Sequence, residues 1–283
     1  MLAIVGDIHS FFELLVDYSK IAKEAGCSAM CQVGDFGVSP QAINDLKAKS
    51  LYPHIPVFVI AGNHEYFDMW EGFEGVKEVM HNVFFVQKGH IMKLDDLNVL
   101  FVGGASSIDK KWQGSSWDWR EDIQPSDVVR FQKNYAQLDG NIDLMIAHVP
   151  PKGVIDRNFD PKQKLAFDVP IYWQDKSAPI IEDIWNQVGN PPLYAGHMHR
   201  KVIDGNCRIL DINEMVFYPP APLLSAEEAD AQMSPDVRAL QKERLDDLES
   251  VRNSRIIPPF DEPKEWEHPM SYNHPLDNGQ AVQ

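Results

Sequence analysis

Short apolar runs alternate with longer amphipathic stretches through the first two thirds of the chain, the pattern of a sheet covered by helices. Leu2 to Val5, Ala29 to Val33 and Val57 to Ile60 read as buried strands, with Phe11 to Ala25 and Pro40 to Lys49 as the helices between them. From Val83 the text changes to strands joined by turns: Val83 to Val86, His90 to Leu94, the turn Asp95-Asp96-Leu97-Asn98, and Val99 to Val102. Two helix-then-strand units follow, Asp127 to Leu138 with Leu144 to Ala147, and Ile180 to Val188 with Leu193 to Ala195. A hairpin turning at Asp204-Gly205-Asn206, between Lys201 to Ile203 and Cys207 to Leu210, closes the patterned region. The pattern predicts an α/β layered core.

After Tyr218 to Pro222, a proline-dense stop, the text is of another kind. Residues 225–283 hold 13 acidic and 6 basic residues. Leu240, Leu245, Leu248 and Val251 recur at near-helical spacing and predict a helix over 236–251, and beyond Ile257 proline and polar residues predict an extended tail. Residues 1–218 are therefore expected to form one domain and 219–283 an acidic extension, either solvated, docked or folded over the domain as a lid.

Composition narrows the function. With 44% hydrophobic residues in 283 the chain can bury a core, which excludes global disorder. The 26 basic and 42 acidic residues leave a net charge of −16, which repels polyanions, so extended duplex DNA is not an expected partner. Cys27, Cys31 and Cys207 are odd in number and form no CxxC pair, which argues against a disulfide framework or a zinc ribbon and for a reducing cytoplasm. The first residues reach Asp7 too soon for a signal peptide, and no apolar run approaches the ~20 residues that span a bilayer. A soluble cytoplasmic protein with no membrane partner is expected.

Candidate chemistry sits in five blocks: Gly6-Asp7-Ile8-His9, Gly34-Asp35, Gly62-Asn63-His64-Glu65, Ala147-His148 and Gly196-His197-Met198-His199. Each directly follows a strand-like run, and strand ends in layered α/β folds deliver side chains to a common rim. In extended backbone residues i and i+2 share a side, so Asp7 with His9, and His197 with His199, are expected to act as two-ligand claws for a metal. Imidazole plus carboxylate suits Mn²⁺, Fe, Zn²⁺ or Ni²⁺. Two Asp, one Asn and four His exceed the needs of one tetrahedral ion and fit two ions sharing a bridge.

In order and spacing these blocks resemble the calcineurin-like metallophosphoesterases, whose pattern is D-x-H, G-D, G-N-H-D/E, H and G-H-x-H, over about residues 3 to 212. The resemblance implies a four-layer αββα sandwich of two mixed β-sheets flanked by helices, with a C-terminal extension. It further implies two divalent transition-metal ions, Mn²⁺ foremost. Asp7, His9 and His199 would hold the first, Asp35 would bridge, and Asn63, His148 and His197 would hold the second. A hydroxide bridging the metals would attack phosphorus while His64, not itself a ligand, protonates the leaving oxygen.

The serine/threonine protein phosphatases of this superfamily continue the second block as G-D-x-x-D-R-G, where this chain has Val38 and Ser39 in place of the Asp and the phosphate-clamping Arg. The stretch from Gly103 to Trp117 is instead similar to phosphoesterases of bacterial and phage genomes, so a bacterial or phage-infected cell is the expected setting. Between Gly103 and Asp122, Lys110, Lys111 and Arg120 interleave with Trp112, Trp117 and Trp119. Either the tryptophans pack under a loop, or the mixture holds a phosphate and a base together. The expected substrate is a phosphorylated small molecule or nucleotide, a phosphodiester in preference. The alternatives are a phosphomonoesterase and a catalytically silent metal-binding scaffold.

Overall fold

A computed structural model describes residues 1–114 and 117–219, which belong to one compact unit, Met1–Pro222. The expected extension and its helix at 236–251 lie outside the described residues.

The first sheet contains β1 (Leu2–Val5), β2 (Ala29–Gln32), β3 (Val57–Ile60), β4 (Val76–Met80), β5 (Val83–Val86) and β12 (Met215–Tyr218), in the order β12-β1-β2-β3-β5-β4. The second contains β6 (His90–Leu94), β7 (Leu97–Val102), β8 (Leu144–Ala147), β9 (Leu193–Ala195), β10 (Val202–Asp204) and β11 (Cys207–Ile209), in the order β10-β11-β9-β8-β7-β6. Four central strands of each sheet run parallel, and both edges of each are antiparallel.

Alternation along the strands builds the layers. Leu2 and Ile4 face the same core as Val99, Phe101, Leu144 and Ile146, which places that core between the two sheets. Ala3 and Val5 face the other way, onto Phe12, Leu15 and Val16 of α1 (Phe12–Glu24) and onto Ile43 and Leu46 of α2 (Pro40–Ala48). On the far side, Leu100 and Val102 pack on Phe131 of α4 (Pro125–Ala136) and on Ile181 and Ile184 of α6 (Ser177–Gln187). The result is a four-layer αββα sandwich. Two short helices, α3 (Lys110–Gln113) and α5 (Lys152–Asn158), lie in the long connections.

Two strands depart from the sequence reading. β4 pairs as a hairpin with β5, and its alternation is weak because only Met80 is buried. β12 occupies the stretch read as the end of the domain and pairs antiparallel with β1, with all four residues half-buried as befits an edge. The turn after β6 is also tighter than expected, two residues with Asp95 at φ 50°, so β7 begins at Leu97. Pairing at a sheet edge selects β4 where local hydrophobicity does not, whereas β12 is an apolar run whose strand character is hidden in the sequence by the prolines that follow it. No helix among the described residues is long and apolar enough to cross a membrane.

Candidate metal centre

The five blocks follow β1, β2, β3, β8 and β9, all members of the parallel centres of the two sheets. Their side chains meet beyond the carboxyl ends of these strands, but not on extended backbone. His9, Asp35, His197 and His199 have φ of 41°, 53°, 65° and 47°. Left-handed backbone at non-glycine residues is costly and marks functional loops. It also corrects one of the two expected claws: His197 and His199 diverge into different clusters instead of sharing one side of a strand, whereas Asp7 and His9 come together.

Asp7, His9, Asp35 and His199 form the first cluster, each offering one donor atom within 4.8 Å of the others. Nε2 of His9 lies 3.0 Å from Nε2 of His199, which is itself 3.3 Å from Oδ2 of Asp7. In the second cluster Oδ1 of Asn63 is 2.9 Å from Nδ1 of His197 and 3.0 Å from Nε2 of His148. Asp35 stands between them, its Oδ2 3.7 Å from Nε2 of His9 and its Oδ1 3.3 Å from Nε2 of His148.

These residues fit cations. The buried Oδ1 of Asp7 has no hydrogen-bond partner, a costly state for a carboxylate unless an ion satisfies it. His148 Nδ1 donates to the carbonyl of Val33 at 2.8 Å, so its Nε2 turns a lone pair toward Asn63 Oδ1. Two acceptors facing each other at 3.0 Å call for positive charge between them, of the kind a bound cation would supply. Burial opposes charge on His148 itself, yet the Asp35 carboxylate holds the imidazole up at about 9. Asp35, despite burial, is held well below the usual carboxylate range by His148, and the Asp7 hydrogen bond raises His199 while burial lowers His9. Mixed imidazole, carboxylate and amide donors suit a divalent transition metal.

Close approach explains two of the glycines. A Cβ on Gly196 would stand 1.9 Å from Oδ1 of Asp7, and one on Gly62 would stand 2.1 Å from Oδ1 of Asp35. The loops are also stapled. Glu65 accepts the N–H groups of Gly62, Phe36 and Gly37 at 3.1, 2.8 and 3.1 Å, tying the loop after β3 to the loop after β2. Burial and the neighbouring Asp35 push its carboxyl up to about 7. Gln32 joins the loops after β1 and β2, donating to the carbonyls of Gly6 and Gly34 at 3.2 and 2.5 Å.

A cavity of about 470 Å³ opens onto Asp35, Asn63, His197 and His199, and His64 lines it too. The imidazole of His64 is half-buried and makes no hydrogen bond among the described residues. Phe159, Phe167, Trp173, Lys164 and Arg200 make up much of the remaining wall. Arg200 directly follows the last ligand block; the segment of the other four, between β8 and α6, carries no strand or helix period strong enough to notice in the sequence. Its signal is the run of aromatic residues in otherwise polar, irregular text.

None of Lys110, Lys111, Trp112, Trp117 and Arg120 lines this cavity. Lys110 lies over the Trp117 ring at 3.2 Å, and Lys111 is ion-paired with Asp168. Trp112 is exposed beside Phe167, and Trp117 donates its indole N–H to Glu121 at 2.8 Å. Arg120 bonds to Asp68, Glu71 and Asp118. Ser39 caps α2, accepting the N–H of Ala42 at 3.1 Å, and Val38 is buried in the core. Two carboxylates near the second cluster were not singled out in the sequence. Asp175 lies 3.5 Å from Nε2 of His197, and Glu121 reaches Asn63 through Ser107.

The profile of the calcineurin-like phosphoesterase family matches residues 1–201. One solved structure aligns over 76% of this chain and 93% of its own, at 13% identity and a TM-score of 0.45. No curated protein matches the chain. The chain belongs to the calcineurin-like phosphoesterases and is a metal-dependent phosphoesterase of that kind.

Proposed function

We propose that this calcineurin-like phosphoesterase hydrolyses a phosphodiester, a nucleotide or nucleic-acid-derived small molecule, with His64 as general acid. The observation that supports this reading is the single cavity shared by His64 and by ligands of both clusters. Asp7, His9, Asp35 and His199 would hold one ion, and Asn63, His148 and His197, with the second oxygen of Asp35, the other. Bound there, two divalent ions, Mn²⁺ foremost, supply a nucleophile at neutral pH and neutralise charge on the phosphoryl oxygens.

The chain's own groups do the rest. Asp35 Oδ1 accepts the backbone N–H groups of Asn63 and His64, so the carboxylate that joins the clusters also sets the loop that carries the acid. His64, with its ring unbonded, is free to meet the leaving oxygen. Phe159, Phe167 and Trp173 offer faces for a planar organic group.

Charge favours the diester. Beyond the ligands the wall carries Asp109, Asp156, Asp160 and Asp175 against Lys152, Lys164 and Arg200. Lys152 pairs with Asp156, and Lys164 donates to the carbonyls of Ile171 and Trp173. A monoanionic diester asks less of such a wall than a dianionic monoester, which lacks a bidentate clamp at Ser39. A cytoplasmic setting accords with three free, buried thiols. The test is a panel of phosphomonoesters, phosphodiesters and cyclic nucleotides with Mn²⁺. Chelation should abolish hydrolysis and diesters should lead; a strong monoester preference overturns the substrate reading, and indifference to chelation overturns the metal reading.

A further inference from the structure

We propose that Glu121 is a positioning residue which, through Ser107, turns the Asn63 amide so that its oxygen and not its nitrogen faces the second metal. The inference rests on the metal reading above and concerns residues that touch no metal themselves. An asparagine amide is nearly symmetric in shape, yet only its oxygen can ligate a cation. Packing alone does not choose between its two orientations; the hydrogen-bond partner of the other end does.

Here that partner is one end of a buried chain. Asn63 Nδ2 donates to Ser107 Oγ at 3.0 Å, and Ser107 Oγ donates to Glu121 Oε2 at 2.5 Å. Asn63, Ser107 and Glu121 are 5%, 4% and 2% exposed, so no bulk water competes. Glu121 Oε1 accepts both the Ser107 backbone N–H at 3.0 Å and the Trp117 indole N–H at 2.8 Å. A hydroxyl has one proton. Because the carboxylate only accepts, that proton points at Glu121, and the lone pairs of Ser107 are left for the amide NH₂ of Asn63. Oδ1 of Asn63 then faces His148 Nε2 and His197 Nδ1. The direction of the whole chain is set by the acceptor-only group at its far end.

The same loop holds a second carboxylate. Asp175 accepts the N–H of the adjacent Ser106 at 2.7 Å and lies 3.5 Å from Nε2 of His197, the ring atom turned away from Asn63. Lys88 braces the segment behind, donating to the carbonyls of Arg120, Glu121 and Asp122 at 2.7, 3.0 and 2.8 Å. The Gly103 to Asp122 segment thus supports the second metal site from outside.

Glu121→Gln tests this by reversing polarity without changing shape. Its oxygen would stay with the two N–H donors, its NH₂ would donate to Ser107, and the serine proton would turn onto Asn63 and invert the amide. Metal content after reconstitution with Mn²⁺ and dialysis, with electron paramagnetic resonance to separate coupled from isolated ions, reads the outcome without any assay of activity. The wild type should hold two coupled ions. Glu121→Gln should bind the second ion roughly 10–100-fold more weakly, the loss typical of an outer-shell change, and show an isolated-ion signal. Ser107→Ala, which removes the link but keeps the carboxylate, should weaken the same ion and decides alone if Glu121→Gln does not fold. A folded Glu121→Gln or Ser107→Ala that binds both ions as tightly as wild type overturns the inference, whereas a wild type that binds no pair of ions overturns the metal reading beneath it.

Discussion

Oδ1 of Asp35 accepts the backbone N–H of His64 at 2.9 Å, so the residue between the two clusters also fixes the loop that carries the acid. One side chain therefore links charge, ligation and geometry. Asp35→Asn replaces the carboxylate by an amide that can present only one oxygen. Of all ligand changes it should be the most damaging, costing more than the roughly 10–100-fold in metal affinity of an outer-shell change. Metal content and turnover measured together check this, and retention of both ions at wild-type affinity would contradict it.

His64 should be separable from the ligands. His64→Ala is expected to keep both metals, because its ring bonds to nothing among the described residues. General acid help is worth about 10²–10⁴ in rate and matters most for a poor leaving group. The loss should be far larger on an alkyl ester than on a p-nitrophenyl ester; equal losses would refute the acid role.

The aromatic wall and the tryptophan segment make opposite predictions. If Phe159 and Trp173 hold the organic group, changing either to Ala should raise KM for nucleotide substrates several-fold and leave small aryl esters nearly untouched. Trp112→Ala, outside the cavity, should change neither. A KM effect confined to Trp112 would return the substrate to the Gly103 to Asp122 segment.

Lys88 links stability to pH. Burial lowers its ammonium to about 8, although Asp127, Asp122 and Glu121 pull the other way. The folded protein therefore sheds this proton before the unfolded chain does, and the unfolded chain binds more protons between about 8 and the ordinary lysine value. Stability should rise with pH through that window by up to about 1.4 kcal/mol per unit from this group. Lys88→Met leaves the Arg120 carbonyl without its donor, while those of Glu121 and Asp122 keep the Ala105 N–H and the Gln124 amide; it costs about 1–3 kcal/mol at pH 7 and removes the pH term. Urea midpoints at pH 7 and 9.5 should show the gap widening; a gap that narrows would refute the assignment.

Strand ends and the ligand-bearing blocks were readable because both are local. Four residues buried on both faces, as in Leu2–Val5 or Val57–Ile60, make an apolar run that needs no partner to be recognised. A ligand at the end of such a run needs only its neighbours to be noticed. Tertiary structure decided the rest. β12 became a strand by pairing with β1, more than 200 residues away, which no window of sequence reports. Of the two claws, Asp7 and His9 do meet in one cluster, but left-handed backbone sends His197 and His199 to different ones. Only the fold could bring Phe159 and Trp173 over the ligands, or set Glu121 behind Asn63 through a serine 44 positions further along. Composition shows which side chains are able to bind a base or a cation; whether they face the site depends on which of their bonds the folded chain has already used.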